Sequence, residues 1–256
     1  MTEVRKRGMV AVVRHDGWRD QVAVEEPLEI RHAGRTLSIT MRTPGDDDEL
    51  AAGFLYAEGL VESAPDVGPG DELEANTVEV RSPLEREPAL RSFTTTSACG
   101  VCGAGAIEDV RALARPAPPG PPMAGALLAA LPDRMRQPTF ARTGGLHAAA
   151  LFDATGELLA VREDVGRHNA VDKLVGRRLL DGALPLHGLV VCVSGRLSFE
   201  LVHKAVRAGA PILVGVGAPS SLAVELAGEL GLTLCGFARG GRVNVYTGGE
   251  RVDDRP

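Results

Sequence analysis

Cysteine is scarce in this chain, with four residues in 256. That is too few for a disulfide scaffold. No apolar run reaches the length of a membrane span. The N-terminus, Met1-Thr2-Glu3-Val4-Arg5-Lys6-Arg7, is not followed by the apolar core of a signal peptide. Positive charge is not in excess: the formal net charge is −6. This argues against non-specific binding to nucleic acid or an anionic membrane, while leaving room for a local basic pocket. There is no internal repeat, and the only biased tract is a short proline-rich one. What remains is a globular chain, 44% hydrophobic, with enough apolar content for a core, enough length for one large domain or two small ones, and a reducing cytoplasm as the default compartment.

Residues 10–42 read as short strands, Val10–Val13, Gln21–Val24 and Leu37–Met41, separated by Asp16-Gly17 and Ala33-Gly34 turns. Pro44-Gly45-Asp46 caps a helix in which Leu50, Phe54, Leu55 and Ala57 recur at helical spacing, and Gly59 ends it. Thr77–Val80 alternates like a half-exposed strand. Arg115–Pro122 holds five prolines and a glycine, so a linker or exposed loop is expected there. The division expected is residues 1–115, 116–122 as linker, and 123–256.

Beyond the linker, Ala126–Leu131 reads as a short helix. Gly145–Phe152 and Leu158–Arg162 read as a strand pair across Ala154-Thr155-Gly156, and His168–Leu180 as a helix. Then apolar strands at Gly188–Val193, Pro211–Val216 and Leu232–Phe237 alternate with helices at Phe199–Ala208 and Ser221–Leu230. Continuous apolar strands in such an alternation mean a sheet buried on both faces with right-handed crossovers. The fold class of this half is α/β.

Chemistry concentrates first at Cys99-Gly100-Val101-Cys102-Gly103. A β-prone run precedes it and a helical run comes after, which places the thiols near a helix start. Backbone N–H groups and the helix dipole there favour an anion, and the thiolate is the form that attacks sulfur or binds metal. Three readings of a cytosolic C-x-x-C compete: a redox dithiol, half of a zinc site, and a sulfur-relay nucleophile. Two small buried cysteines in a tight turn form the plain structural alternative. Zinc would need His147 or His168 to complete the ligands. There is neither a second C-x-x-C nor an H-x-E, so a closed structural site has little support and a deaminase-type catalytic site less.

Glu163-Asp164-Val165-Gly166-Arg167-His168-Asn169-Ala170-Val171-Asp172-Lys173 packs many ionisable groups into the start of a helix, as a site or an ion-pair network would. Ser194–Glu200 joins a strand end to a helix start, where open α/β sheets hold ligands. Its hydroxyls serve equally well as helix caps. Gly215-Val216-Gly217-Ala218-Pro219-Ser220 resembles a degraded G-x-G-x-x-G but has no acidic residue spaced for a ribose, so no dinucleotide fold is assigned. Phe237-Ala238-Arg239-Gly240-Gly241-Arg242 sets two arginines around two glycines, either to clamp phosphate or as a plain hairpin turn. Cys192 and Cys235, inside apolar strands, are expected to pack as small hydrophobes.

Taken together, Glu26–Ile30, Met41–Asp47, Glu49–Leu55, Cys99–Gly103, Gly145–Ala149, Glu163–Ala170 and Gly236–Arg239 occur in an order that resembles the FdhD/NarQ family of sulfur carriers needed for active formate dehydrogenase. The resemblance spans roughly residues 20–247. It implies a cytidine-deaminase-like three-layer α/β/α domain, a smaller N-terminal α+β part, and a homodimer. It further implies that a cysteine desulfurase loads Cys99 as a persulfide with Cys102 in support. The sulfur then goes to the molybdenum cofactor in its bis(molybdopterin guanine dinucleotide) form, before that cofactor enters formate dehydrogenase. Phe237, Ala238, Arg239, Gly240, Gly241 and Arg242 match the family's cofactor-binding segment, for which GDP is a mimic. No resident metal, nucleic acid or membrane is expected. The competing class is a zinc- or nucleotide-binding accessory module without sulfur chemistry.

Overall fold

Short β-prone runs broken by turn residues open the chain and fold as hairpins. The structure is a computed structural model that describes residues 8–70, 76–88, 113 and 115–253. β1 (Met9–Val13) and β2 (Arg19–Ala23) pair antiparallel. Their turn is held by the Asp16 carboxylate, which accepts from the Trp18 N–H at 3.2 Å. Trp18 itself stands 73% exposed. β3 (Glu26–His32) and β4 (Arg35–Arg42) form a second hairpin. Its two turn residues, Ala33 and Gly34, both take positive φ, which matches the right-handed twist of the strands they join.

α1 (Asp47–Ala57) comes next, then β5 (Val67–Pro69) and β6 (Thr77–Val80). The proline-rich residues 115–122 carry no regular structure. Beyond them lie β7 (Met123–Ala124), α2 (Gly125–Arg134), α3 (Phe140–Thr143), β8 (His147–Phe152), β9 (Leu158–Asp164) and α4 (Arg167–Leu180). The last third runs β10 (Val190–Val193), α5 (Phe199–Arg207), β11 (Ile212–Gly215), α6 (Ser221–Glu229), β12 (Thr233–Arg239), β13 (Arg242–Thr247) and β14 (Val252–Asp253).

The described residues within Met1–Gly100, Gln137–His147 and Glu163–Gly182 make one compact unit, and the remainder make a second. The sequence places one boundary, at the prolines. The chain in fact passes from unit to unit several times, because β8 and β9 each begin or end in the first unit while most of their length belongs to the second.

In the first unit a four-stranded sheet runs β4-β3-β6-β5, with β3 and β6 parallel. α1 and α4 approach unusually closely. A Cβ added to Gly53 would fall 1.9 Å from the Asp172 carbonyl oxygen, and one added to Gly176 would fall 1.8 Å from that of Glu49. Only glycine lets two helix backbones meet at such a distance. α3 packs against β2.

The second unit is built on a six-stranded sheet ordered β13-β12-β11-β10-β8-β9. β10, β11 and β12 run parallel, and β8 and β13 flank them antiparallel. The four-residue apolar stretches of β10 and β11 are buried throughout because both faces are covered. Leu128 and Leu131 of α2 pack with Phe152, Cys192, Ile212, Val214 and Cys235 on one face. α5 lies against β11, and α6 against β12 and β13. The α/β class and the strand–helix alternation are as the sequence predicts. Cys192 and Cys235 are buried thiols outside any disulfide, and burial pushes the Cys192 thiol far above its ordinary range. Among the described residues no helix is long and apolar enough to cross a membrane.

Candidate functional site

The parallel strands of the second unit end together, and each runs into a short segment. β10 gives way to Ser194–Ser198, β11 to Val216–Ser220, and β12 bends at Phe237 before its last two residues. The three segments are bonded backbone to backbone. Gly217 donates to the Gly195 carbonyl at 3.0 Å, Leu197 to that of Ala218 at 3.0 Å, Ser220 to that of Leu197 at 3.0 Å, and Phe237 to that of Gly217 at 3.2 Å. Backbone groups that a bare loop would leave to water are thus paired, and the strand-end surface is rigid.

The glycines of the degraded G-x-G-x-x-G explain themselves in this packing. A Cβ on Gly215 would meet Leu197 at 2.7 Å, and one on Gly217 would lie 2.9 Å from Arg196 Cα. They allow loop against loop. Ser220 caps α6 by accepting from the Ala223 N–H at 3.3 Å.

Phe237 is the anomaly of this surface. Its φ is +54, a left-handed backbone that costs a bulky side chain on the order of 1–3 kcal/mol. The register between β12 and β13 slips by one residue between Gly236 and Arg239, so Phe237 sits in a β-bulge at a position that usually takes glycine. Its ring is nevertheless exposed. A neighbouring Cβ on Gly236 would crowd the Gly217 carbonyl, Pro219 and Tyr246, each at 3.1 Å. The bend therefore swings the Phe237 ring out of the sheet toward the solvent-facing edge.

Beyond it, Arg239 and Arg242 stand directly opposite each other, joined by Gly240 and Gly241. Both glycines take positive φ, as a two-residue hairpin turn needs. Arg196, Arg239 and Arg242 are exposed, and none of their guanidinium groups makes a hydrogen bond or ion pair among the described residues. Of the predicted binding segment, Ala238 turns inward into the core and can offer a ligand only its backbone. The other five residues reach the surface. The sequence does not single out Arg196 or Gly217 individually, although both lie inside segments that it marks.

The dense polar stretch of the first unit is a buried network. Asp164 forms an ion pair with the Lys173 ammonium at 2.8 Å and accepts from the N–H of Thr43 at 3.1 Å, the N–H of Gly166 at 2.8 Å and the Asn169 amide at 3.0 Å. Lys173 also donates to the Thr43 carbonyl at 2.8 Å. Glu163 accepts from the N–H groups of Thr139 and Phe140 at the start of α3. Of the two alternatives the sequence leaves open for this stretch, the ion-pair network describes Asp164, Asn169 and Lys173. His147 and His168 are half-buried, at the starts of β8 and α4. No group of three His, Cys, Asp or Glu that could hold a metal exists among the described residues. Cys99 and Cys102 lie outside them.

The first unit also has a cleft of about 700 Å³ lined by Arg42, Asp47, Asp48, Glu49, Asn76 and Arg177. Arg42 is held there by Asp47 and Asn76, and Arg177 faces Glu49. Its cations are committed to partners, unlike those at the strand ends.

Open α/β sheets hold ligands at the carboxyl ends of their parallel strands, and here that edge presents three arginines and an exposed aromatic ring. Comparison with known proteins narrows this. The FdhD/NarQ family matches residues 23–253, and the chain belongs to that family. It is 54% identical over 251 residues to the sulfur carrier protein FdhD of Streptomyces coelicolor, covering 91% of this chain and 89% of that protein. It is 49% identical over 253 residues to the sulfur carrier protein FdhD of Mycobacterium tuberculosis, covering 91% of this chain and 92% of that protein. A solved structure from Desulfotalea psychrophila, described as a candidate formate dehydrogenase accessory protein, superposes with a TM-score of 0.73 at 28% identity, covering 96% of this chain and 97% of that one.

Proposed function

We propose that this protein is a sulfur carrier that prepares the molybdenum cofactor for formate dehydrogenase. In this reading the Cys99 thiolate attacks the sulfane sulfur of a cysteine desulfurase persulfide. The bond between the desulfurase cysteine and that sulfur breaks, the desulfurase cysteine leaves as thiolate, and Cys99 carries the persulfide. Cys102 supports the exchange. The cofactor, in its bis(molybdopterin guanine dinucleotide) form, is the substrate that receives the sulfur. The protein works in the cytoplasm and as a homodimer.

Support comes from the names of its relatives, the order of the sequence motifs, and the strand-end site. The observation that carries the binding half is the pairing of a left-handed, exposed Phe237 with the uncommitted Arg239 and Arg242. A guanine dinucleotide offers a flat base and several phosphates. The first suits an aromatic face, and the second suit guanidinium forks. Backbone strain maintained at an exposed aromatic is the signature of a residue kept for a ligand.

The test is mass spectrometry of the protein after incubation with a desulfurase and cysteine. A gain of one sulfur on the peptide containing Cys99, reversed by a thiol reductant and absent in Cys99→Ala, is expected. Stoichiometric zinc that disappears in Cys99→Ala, with no sulfur gained, would instead establish the zinc module.

A further inference from the structure

We infer that Arg196 is a phosphate-contacting residue of the same nucleotide site, set across Gly217 from Phe237. This rests on the proposed nucleotide reading and extends it from β12 to the end of β10. Gly217 touches both residues. Its carbonyl accepts from the Phe237 N–H at 3.2 Å, and its α-carbon is so close to Arg196 that an added Cβ would lie 2.9 Å from Arg196 Cα and 3.1 Å from Cγ. The Arg196 backbone is fixed on either side, since Gly195 accepts from Gly217 and Leu197 donates to Ala218. The root of the side chain is therefore immobile while its guanidinium is exposed.

That guanidinium has no hydrogen bond or ion pair among the described residues. The chain carries a net charge of −6 with 34 acidic residues against 28 basic ones, so a surface arginine has abundant carboxylates to pair with. Three arginines left uncommitted at one end of one sheet are a local reversal of the charge balance. Arg239 and Arg242 are only a hairpin turn apart, and Arg196 approaches from a different strand. A pyrophosphate flanked from two strands is held in place, whereas one flanked by a single turn can slide. Phe237, between the two groups in the order of the bonded loops, supplies the face for the base. The recognised ligand is a nucleoside diphosphate moiety in which base and phosphates are read by different strands.

The experiment is calorimetric titration of GDP, guanosine and inorganic pyrophosphate into the full chain and into Arg196→Ala and Arg196→Lys, with thermal unfolding of each variant as a check on folding. Wild type is expected to bind GDP and pyrophosphate, more weakly as salt is added. Arg196→Ala should bind GDP about 10- to 100-fold more weakly, with a shallower salt dependence and an unchanged affinity for guanosine. Arg196→Lys, which keeps the stem against Gly217 and the charge but not the fork, should fall between. GDP affinity unchanged in Arg196→Ala overturns the assignment while leaving the site standing. An equal loss for guanosine and GDP makes Arg196 a loop-packing residue and also overturns it. A wild type that binds none of the three ligands overturns the nucleotide reading itself, and the assignment with it.

Discussion

The Lys173 ammonium lies 2.8 Å from the Asp164 carboxylate, with the two residues 1% and 0% exposed. The pair ties the end of β9 to α4, and through Thr43 to the end of β4. Its two halves are not equally replaceable. Asp164→Ala leaves a buried ammonium with only the Thr43 carbonyl to accept from it, whereas Lys173→Met leaves Asp164 with three N–H donors. Removing one partner of a buried pair costs about 3–5 kcal/mol. Asp164→Ala should reach that range in urea denaturation, and Lys173→Met should fall below it. Equal losses would mean that the N–H donors contribute little.

The contact between α1 and α4 makes a second prediction. Gly176→Ala normally favours a helix by about 1 kcal/mol. Here the methyl would meet the Glu49 carbonyl at 1.8 Å, so the helices must part. Overpacking of this kind costs roughly 1–3 kcal/mol or more. A lowered thermal midpoint for both Gly53→Ala and Gly176→Ala is expected. A raised midpoint in either would show that the helices separate freely.

His203 links stability to acid. It is buried, its Nε2 has no hydrogen-bond partner among the described residues, and burial, reinforced by Lys204 and Arg207 against Glu200, pushes its pKa down to about 3. The folded protein thus holds it neutral while the unfolded chain protonates it near pH 6.5. Its contribution is intact above that pH. Below it stability is lost by roughly 1 kcal/mol for each pH unit, until the folded form also titrates near pH 3. His203→Leu should gain on wild type steadily as pH falls from 7 to 4 in urea melts. Parallel curves would show that His203 takes up no differential proton.

Phe237 should show opposed effects on stability and binding. Phe237→Gly relieves the left-handed backbone and gives up little burial, so stability should be unchanged or higher by up to about 1 kcal/mol. GDP affinity should drop at the same time. A variant that unfolds more readily yet binds GDP normally would make the ring a packing residue.

The sequence shows its structure best where elements are self-sufficient. The strands at β10, β11 and β12 are legible because a sheet covered on both faces needs unbroken apolar runs, and α5 and α6 because glycines stop them. The hairpin turn at Gly240-Gly241 is legible for the same local reason. Less accessible is whatever depends on residues far apart. Glu163 caps a four-residue helix that has little periodicity of its own, and Asp164 finds Thr43 across 121 positions. The left-handed Phe237 arises from a register slip against β13 and from Gly217, neither of which its own neighbours in sequence encode. Ser194–Glu200 is marked as a ligand position by its place after a strand, but nothing in it distinguishes Arg196 until Gly217 is packed beside it.

The hairpin of β1 and β2 has one last consequence, for how the molecule is observed. Trp18 is the only tryptophan in the chain, and it already stands in water. Its emission is that of a solvated indole in the native state, so denaturant has little further red shift to produce. A fluorescence melt would thus look flat while both cores dissolve, and circular dichroism must track unfolding instead. The same indole becomes a sensitive optical probe of anything that settles on that hairpin, because any covering partner would shift its emission to the blue and shield it from a soluble quencher.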